Sequence, residues 1–472
     1  MNDFKFSREL KELLYYIREY GIQHVKYIIE SYDQLPQGEE QQNEFFTQVH
    51  KGFYMAQSRV IYLLKKTLAE RKRLKQALKQ ARRQNELGQA SIILEAINKA
   101  EYQEHVLRKV VDSIAWQIFH SDLTIMRRLY CGNELIDITD SNIESEIAFT
   151  ETYQQDHPEG FALINDLTSF VQIGDIVSVC KTEGVRIREL KEGVVNERIF
   201  EIINNSLQVD CPNYLRLCLS NENEKFREQF GRVVNQAARN IQVEKTIQTG
   251  YGTDVLTGQK VIVNDSDLVL HTFEKEVYKL SADCKKRGYS ITVIEGCLLV
   301  GMYDISKCSS QVFNLWTQSL GISMPIYDIR QSFFDPLSFP LFLHGLAPNT
   351  IVDLVSGKKE LKLTLDIEQW LETFKSDGYE VRWLSKKETA RINGKMKGNQ
   401  TVFSLKGCGV EIKREGYSLE LGEGVFSRMF TRFVLPSSIK KLLSLSLESS
   451  YLDEVEKRNT GDSTVCSDTP PN

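Results

Sequence analysis

The chain has 472 residues, 41% hydrophobic and 26% charged, with a formal net charge of −5. That length exceeds one compact core and predicts two or three domains, and the mild acidity leaves nucleic-acid contacts only to local basic patches. No stretch approaches the roughly 18 apolar residues of a membrane span, and the charged opening MNDFKFSRELKELL lacks a secretory signal's apolar core, so a cytoplasmic protein without a membrane is expected. The nine cysteines form no CxxC pair and no zinc spacing with histidine, which predicts reduced, mostly buried thiols.

In chain order, residues 1–105 read as a helical region, broken at Leu35-Pro36-Gln37-Gly38 and again near 85–88. Val60, Leu64, Leu68, Leu74, Leu78 and Ala81 form an apolar stripe at near-helical spacing. Around it, residues 65–83 carry nine Lys or Arg and one acid, Glu70. This basic ridge is either a solvated outer face or a surface for phosphates or an acidic partner. A second helix from about Ser91 leads into 106–130, with Val110, Ile114, Ile118, Leu123, Met126 and Leu129 on its buried side and Trp116 as a core anchor. Residues 133–157 are acid-rich and less regular.

A core over 106–245 is organised by the segment 171–193, in which two apolar runs, 176–180 and 185–190, flank the polar turn Lys181-Thr182-Glu183-Gly184. Such a pattern predicts a β-hairpin. Alternation along the second run places Val185, Ile187, Glu189 and Lys191 on one face, and closing the hairpin brings Asp175 opposite Glu189 and Lys191. Two carboxylates and an ammonium at the mouth of a ribbon outline a metal site. The apolar strands imply a central, covered hairpin, where unpaired charge is costly. The plainer alternative is a solvent-exposed ribbon bearing a surface ion pair.

After the hairpin, 196–204 predicts a short helix and 214–219 a short strand. Residues 222–240 predict a helix with a polar and basic stripe, Lys225, Gln229, Arg232, Gln236 and Arg239, opposite Phe226, Phe230, Val233, Val234 and Ala237. Residues 246–447 predict an α+β domain of unassigned role, with helix then strand at 268–286 and 289–302, and again at 367–376 and 379–384. Gly288 and Gly378 read as helix C-caps. GTDVLTGQK at 252–260 lacks the Gly-Lys-Ser/Thr of a phosphate loop. The proline-broken 333–346 reads as a buried inter-domain connection, and 448–472 as a disordered tail.

A Glu-x-Lys triplet alone carries little information, and the chain holds a second copy, Glu411-Ile412-Lys413. No acid lies between Glu388 and Glu411, so that copy lacks the partner that Asp175 provides for Glu189. IGD at 173–175 followed by ELK at 189–191 resembles the PD-(D/E)xK, restriction-endonuclease-like nucleases, with Gly174 where Pro is common. The resemblance implies a restriction-endonuclease-like α/β core within a mixed α/β protein. It also implies an upstream helix bearing an acid, for which Asp112, Glu146 and Asp166 are the open candidates, and a following helix lining the site, with Gln229, Arg232 and Gln236 as candidates.

Cleaving a phosphodiester adds charge to the non-bridging oxygens and makes an alkoxide, both of which a hard cation stabilises. Mg²⁺ or Mn²⁺ on Asp175, Glu189 and the Leu190 carbonyl suits that need, with Lys191 orienting or deprotonating water. Gln229 is assigned to the catalytic set, and Lys225, Arg232, Gln236 and Arg239 to the nucleic-acid backbone. The expected function is a metal-dependent nuclease, acting on DNA rather than RNA, with defence against foreign DNA or mobile-element biology suggested by analogy. Double-strand cleavage favours a homodimer. The rivals are an inactive nuclease-fold scaffold that binds nucleic acid or protein, and a helical module that docks a protein partner through the N-terminal ridge.

Overall fold

The structure, a computed structural model, describes residues 3–25, 38–139, 141–190, 193–208, 213–220, 222–254, 258, 260–263, 269–396 and 401–447. The expected tail 448–472, most of the break before Gly38, and Lys191 lie outside the described residues. The protein mixes helices with small antiparallel sheets and forms two compact units, one from 1–265 with 333–343 and one from 266–332 with 344–472.

In the first unit, α1 (Asp3–Arg18) and α2 (Tyr20–His24) pack on α3 (Glu39–Arg83). The predicted stripe is the seam: Val60, Leu64, Leu68, Leu78 and Ala81 are buried. A turn at 84–86, with Asn85 at φ +58°, sends α4 (Leu87–Ile118) back along α3. This helix runs unbroken through position 105. From Val106 to Trp116 every residue is buried, including Arg108, Lys109 and Asp112, so this stretch is a core helix with charges inside it.

The helix expected to continue to 130 instead stops at Ile118. His120 and Ser121 adopt positive φ, and the Asp122 carboxylate accepts from the Thr124 and Ile125 N–H groups to start α5 (Leu123–Leu129). A cap beats periodicity there. The stretch expected to be less regular holds a clear helix, α6 (Ile143–Asp156).

Next come β1 (Phe161–Ile164), β2 (Ile176–Cys180) and β3 (Gly184–Arg188), an antiparallel sheet in the order β1-β2-β3. Ile176 pairs with Arg188 and Cys180 with Gly184, so the hairpin closes in the expected register. Only β2 is central. The expectation of a wholly covered hairpin is corrected for β3, an edge strand with Arg186 exposed. Its open edge is satisfied by side chains: the Ile187 N–H donates to Glu244, and Gln248 donates to the Val185 carbonyl at 3.2 Å.

Those two residues belong to α9 (Glu224–Thr249), which follows α7 (Val194–Gln208) and α8 (Tyr214–Ser220) and precedes a ribbon of β4 (Tyr251–Thr253) and β5 (Lys260–Ile262). The strand expected at 214–219 is thus a helix. Its leucines alternate as in a strand, but Cys218 and Leu219 pack on Ile199, Ile202, Phe226 and Phe230, and that contact selects the helix. The segment 333–343 is part of this unit's core, with Phe333 and Phe342 buried and Phe339 edge-on to Trp116.

The second unit holds α10 (Glu274–Arg287), β6 (Tyr289–Ile294), β7 (Leu298–Asp304), α11 (Gln311–Ser319), β8 (Tyr327–Asp328), α12 (Pro348–Val355), β9 (Lys359–Leu365) and α13 (Ile367–Ser376). It continues with β10 (Glu380–Trp383), α14 (Lys386–Asn393), β11 (Val410–Arg414), β12 (Tyr417–Glu420) and α15 (Gly424–Thr431), and its sheets run β6-β7-β9-β8 and β10-β11-β12. The single strand expected over 289–302 is a hairpin, turned at Glu295 and Gly296 with positive φ. Gly288 and Gly378 end their helices at φ +88° and +85°, as the C-cap reading requires.

Candidate active site

The hairpin mouth opens on a cleft of about 180 Å³ lined by Asn133–Ile136, Asn165, Asp166, Gly174, Asp175, Glu189, Gln236 and Arg239, among others. Its floor is set by backbone geometry. Gly174 sits at φ +73°, and a Cβ there would come within 2.4 Å of Ile187 Cγ2, so only glycine delivers Asp175 at this point. The Asp175 N–H donates to the Arg188 carbonyl at 2.9 Å, and Asp175 Oδ2 accepts from the Leu190 N–H at 2.6 Å. The loop after β1 is strapped to the same mouth by Asn165, whose amide donates to the Ile173 and Gly174 carbonyls and whose N–H donates to the Asp175 carbonyl.

Arg108 holds both walls. Fully buried on α4, its guanidinium donates to the carbonyls of Asp166 (2.5 Å), Thr168 (3.3 Å) and Ile136 (2.5 Å), and pairs with Glu104. One side chain thus fixes the 133–136 wall against the Asp166 loop. A guanidinium suits this role because its donors form a rigid fork.

Of the three upstream acids, Asp112 is a core residue: it pairs with Lys109 at 3.1 Å and accepts from the Ser169 N–H and hydroxyl. It lies apart from the cleft lining. Asp166 lines the cleft, and burial pushes its carboxyl up, against a Ser141 hydrogen bond and the Arg108 charge. Glu146, on the first turn of α6, is buried with Oε2 lacking a hydrogen-bond partner among the described residues. Burial first, then the charges of Asp166 and Asp175, push its pKa up to about 8. Asp166 from the β1–β2 loop and Asp175 and Glu189 from the hairpin thus line one hollow, and Glu146 on α6, outside the lining, lies close enough to feel the charges of Asp166 and Asp175. Hard oxygen donors of this kind fit Mg²⁺ or Mn²⁺ in chemistry.

The stripe on α9 divides. Gln236 and Arg239 line the cleft, and Asn240 donates to Glu189 Oε1 at 3.4 Å. The buried Nε of Arg239 has no hydrogen-bond partner among the described residues. Gln229 instead donates to Asn196 at 3.2 Å, and Lys225 and Arg232 are exposed and outside the lining. Gln229 and Gln236 share a helix face but stand about 10 Å apart along it, so only the later turn reaches the hairpin. Lys191 lies outside the described residues. The second Glu-x-Lys copy is structural, with Glu411 buried and paired to Arg382 at 2.5 Å and Lys413 at 3.2 Å.

Sequence reasoning missed Asn165, Arg108 and Asn240. Only Asn240 carried a signal, standing four residues after Gln236. It also missed His157, Glu159 and Cys180 near the far end of β2, whose donor atoms lie within 4.8 Å of one another with no tell-tale spacing in the chain. Among the described residues no helix is long and apolar enough to cross a membrane. No family model, curated protein or solved structure matches the chain.

Proposed function

We propose that this protein is a metal-dependent phosphodiesterase acting on nucleic acid, with DNA the expected substrate. The observation that carries the reading is the convergence of Asp166, Asp175 and Glu189 in a cleft also lined by Arg239 and Gln236, with Glu146 near enough to feel the charges of Asp166 and Asp175. Burying several carboxylates together is unfavourable unless a cation or protons compensate them. The succession α6, β1, β2, β3 and a later helix lining the hairpin mouth also supports the restriction-endonuclease-like resemblance.

Asp175, Glu189 and Asp166 are proposed to hold Mg²⁺ or Mn²⁺, with Glu146 joining in its ionised form. When bound, such an ion acidifies water and offsets charge on the reacting phosphate. The chain's own groups do the rest. Arg239, which lines the cleft and whose buried Nε has no hydrogen-bond partner among the described residues, receives a phosphate oxygen; Gln236 orients substrate or water; Lys191 is assigned by the resemblance to take or steer the water's proton. Glu146 carries a proton near neutrality and would have to ionise to serve as a ligand.

Supercoiled and linear DNA, and RNA, incubated with Mg²⁺, Mn²⁺ or EDTA, test this directly. Metal-dependent cutting that is lost in Asp175→Ala and Glu189→Gln with circular dichroism unchanged is the expected result. Binding without cutting by the wild type would sink the catalytic assignment and select the scaffold.

A further inference from the structure

The basic ridge on α3 plays no part in the cleft, yet it starts at the cleft's rim. Arg71 pairs with Glu104 and reaches Asp137 at 3.9 Å. Asp137 follows Ile136, the wall residue whose carbonyl Arg108 holds. Beyond Arg71, α3 and α4 continue as a two-helix arm sealed by Leu78, Ala81, Ala90, Ile93 and Ile97. At about 100° per residue, Lys72, Lys75, Lys79, Arg82 and Arg83 fall within an arc of about 100°, roughly opposite that seam.

All five are exposed. Lys75 is 3.6 Å from Glu101, but among the described residues Lys72, Lys79, Arg82 and Arg83 have no acid at ion-pair distance. Like charges three and four residues apart oppose a helix, so this row costs the arm stability and is not explained by it. Lys72 to Arg83 spans about 16 Å of a helix rising 1.5 Å per residue. Phosphates on one DNA strand advance about 3.4 Å along the axis, so the row matches about five of them. A straight row of cations on a rigid rod fits a regular polyanion, and it begins where the cleft would receive one.

We infer that the α3–α4 arm is a docking rail for the phosphate backbone of duplex nucleic acid, which it tracks for about five nucleotides beyond the cleft. The inference rests on the phosphodiesterase reading for its direction, and its test is kept separate from cutting. The full chain and the variant Lys72→Gln/Lys79→Gln/Arg82→Gln/Arg83→Gln are titrated against a labelled duplex of about 30 base pairs in EDTA across a salt series, followed by anisotropy. Losing four phosphate contacts lowers the slope of log affinity against log salt by about 3 to 4, and the single variants Lys79→Gln and Arg83→Gln lower it by about 1 each.

Glutamine is a good helix former, and circular dichroism checks the arm; if the quadruple variant misfolds, the single variants decide. A slope unchanged within about 0.5 in well-folded variants, or no duplex binding by the wild type, overturns the rail. So does a four-cation dependence seen with polyglutamate while the DNA slope stays fixed, which assigns the ridge to an acidic protein. A lowered slope without cutting in Mg²⁺ keeps the rail and removes the catalytic reading, and cutting with an unchanged slope does the reverse.

Discussion

Replacing Glu146 by Gln isolates the electrostatic strain of the cleft. The side chain is 3% exposed, and burial together with the Asp166 and Asp175 charges pushes its pKa from 4.5 to about 8. Because the folded value lies above the unfolded one, the group costs nothing below about pH 4.5, and the folded state loses stability as pH rises to about 8. At about pH 7 the gap converts to about 3 kcal/mol as an upper bound. Water in the open cleft screens the neighbouring charges, and about 1–2 kcal/mol is the expected net cost.

Glutamine keeps the volume and cannot ionise. The variant should therefore match the wild type near about pH 5 and exceed it by about 1–2 kcal/mol near about pH 8, a rise in Tm of about 2–4 °C per kcal/mol for a unit of this size. Denaturant titrations at four pH values in EDTA measure this, and repeating them with Mg²⁺ adds the linked half. A cation favours the ionised carboxyl, so Mg²⁺ should stabilise the wild type more than the variant, and more so toward alkaline pH. Parallel stability–pH curves for the two proteins would refute the argument that burial, aided by its acidic neighbours, holds Glu146 protonated.

Gly174→Ala should cost about 2 kcal/mol or more in unfolding free energy, because it adds left-handed strain to a 2.4 Å contact with Ile187, and it should impair cutting by displacing Asp175. Asp112→Ala strands the buried Lys109 ammonium and should cost about 3–5 kcal/mol in denaturant unfolding, whereas the double variant with Lys109→Met should recover much of it. Arg239→Ala should raise KM for cleavage with the folded state intact, since the residue lines the cleft and its buried Nε serves no described partner. Glu411→Gln, at the second Glu-x-Lys copy, should leave metal-dependent cutting unchanged in the same nuclease assay.

The hairpin was legible because its information is local. Two β-branched runs and a polar turn specify strands and register, and register alone sets Asp175 across from Glu189. The seam of α3 was equally legible, since a run of leucines and alanines at helical spacing has one low-energy use. The helix at 214–220 was misread because alternating leucines fit either period, and the choice was made by contacts with Ile202 and Phe226 that no local pattern contains.

The site itself divides along the same line. Residue order alone determined that an Asp and a Glu flank a β-hairpin at its mouth, and that a helix with amide and guanidinium groups follows. Only the tertiary structure decided where the upstream acids go, lining the cleft with Asp166, leaving Glu146 buried within reach of the Asp166 and Asp175 charges, and sending Asp112 to a buried lysine. It alone decided that α9 meets the hairpin at Gln236 and Arg239 rather than two turns earlier. The physical reason is that periodicity fixes the angle of a side chain around its element, whereas its position along the axis, and the company its charge keeps, come from how the elements pack.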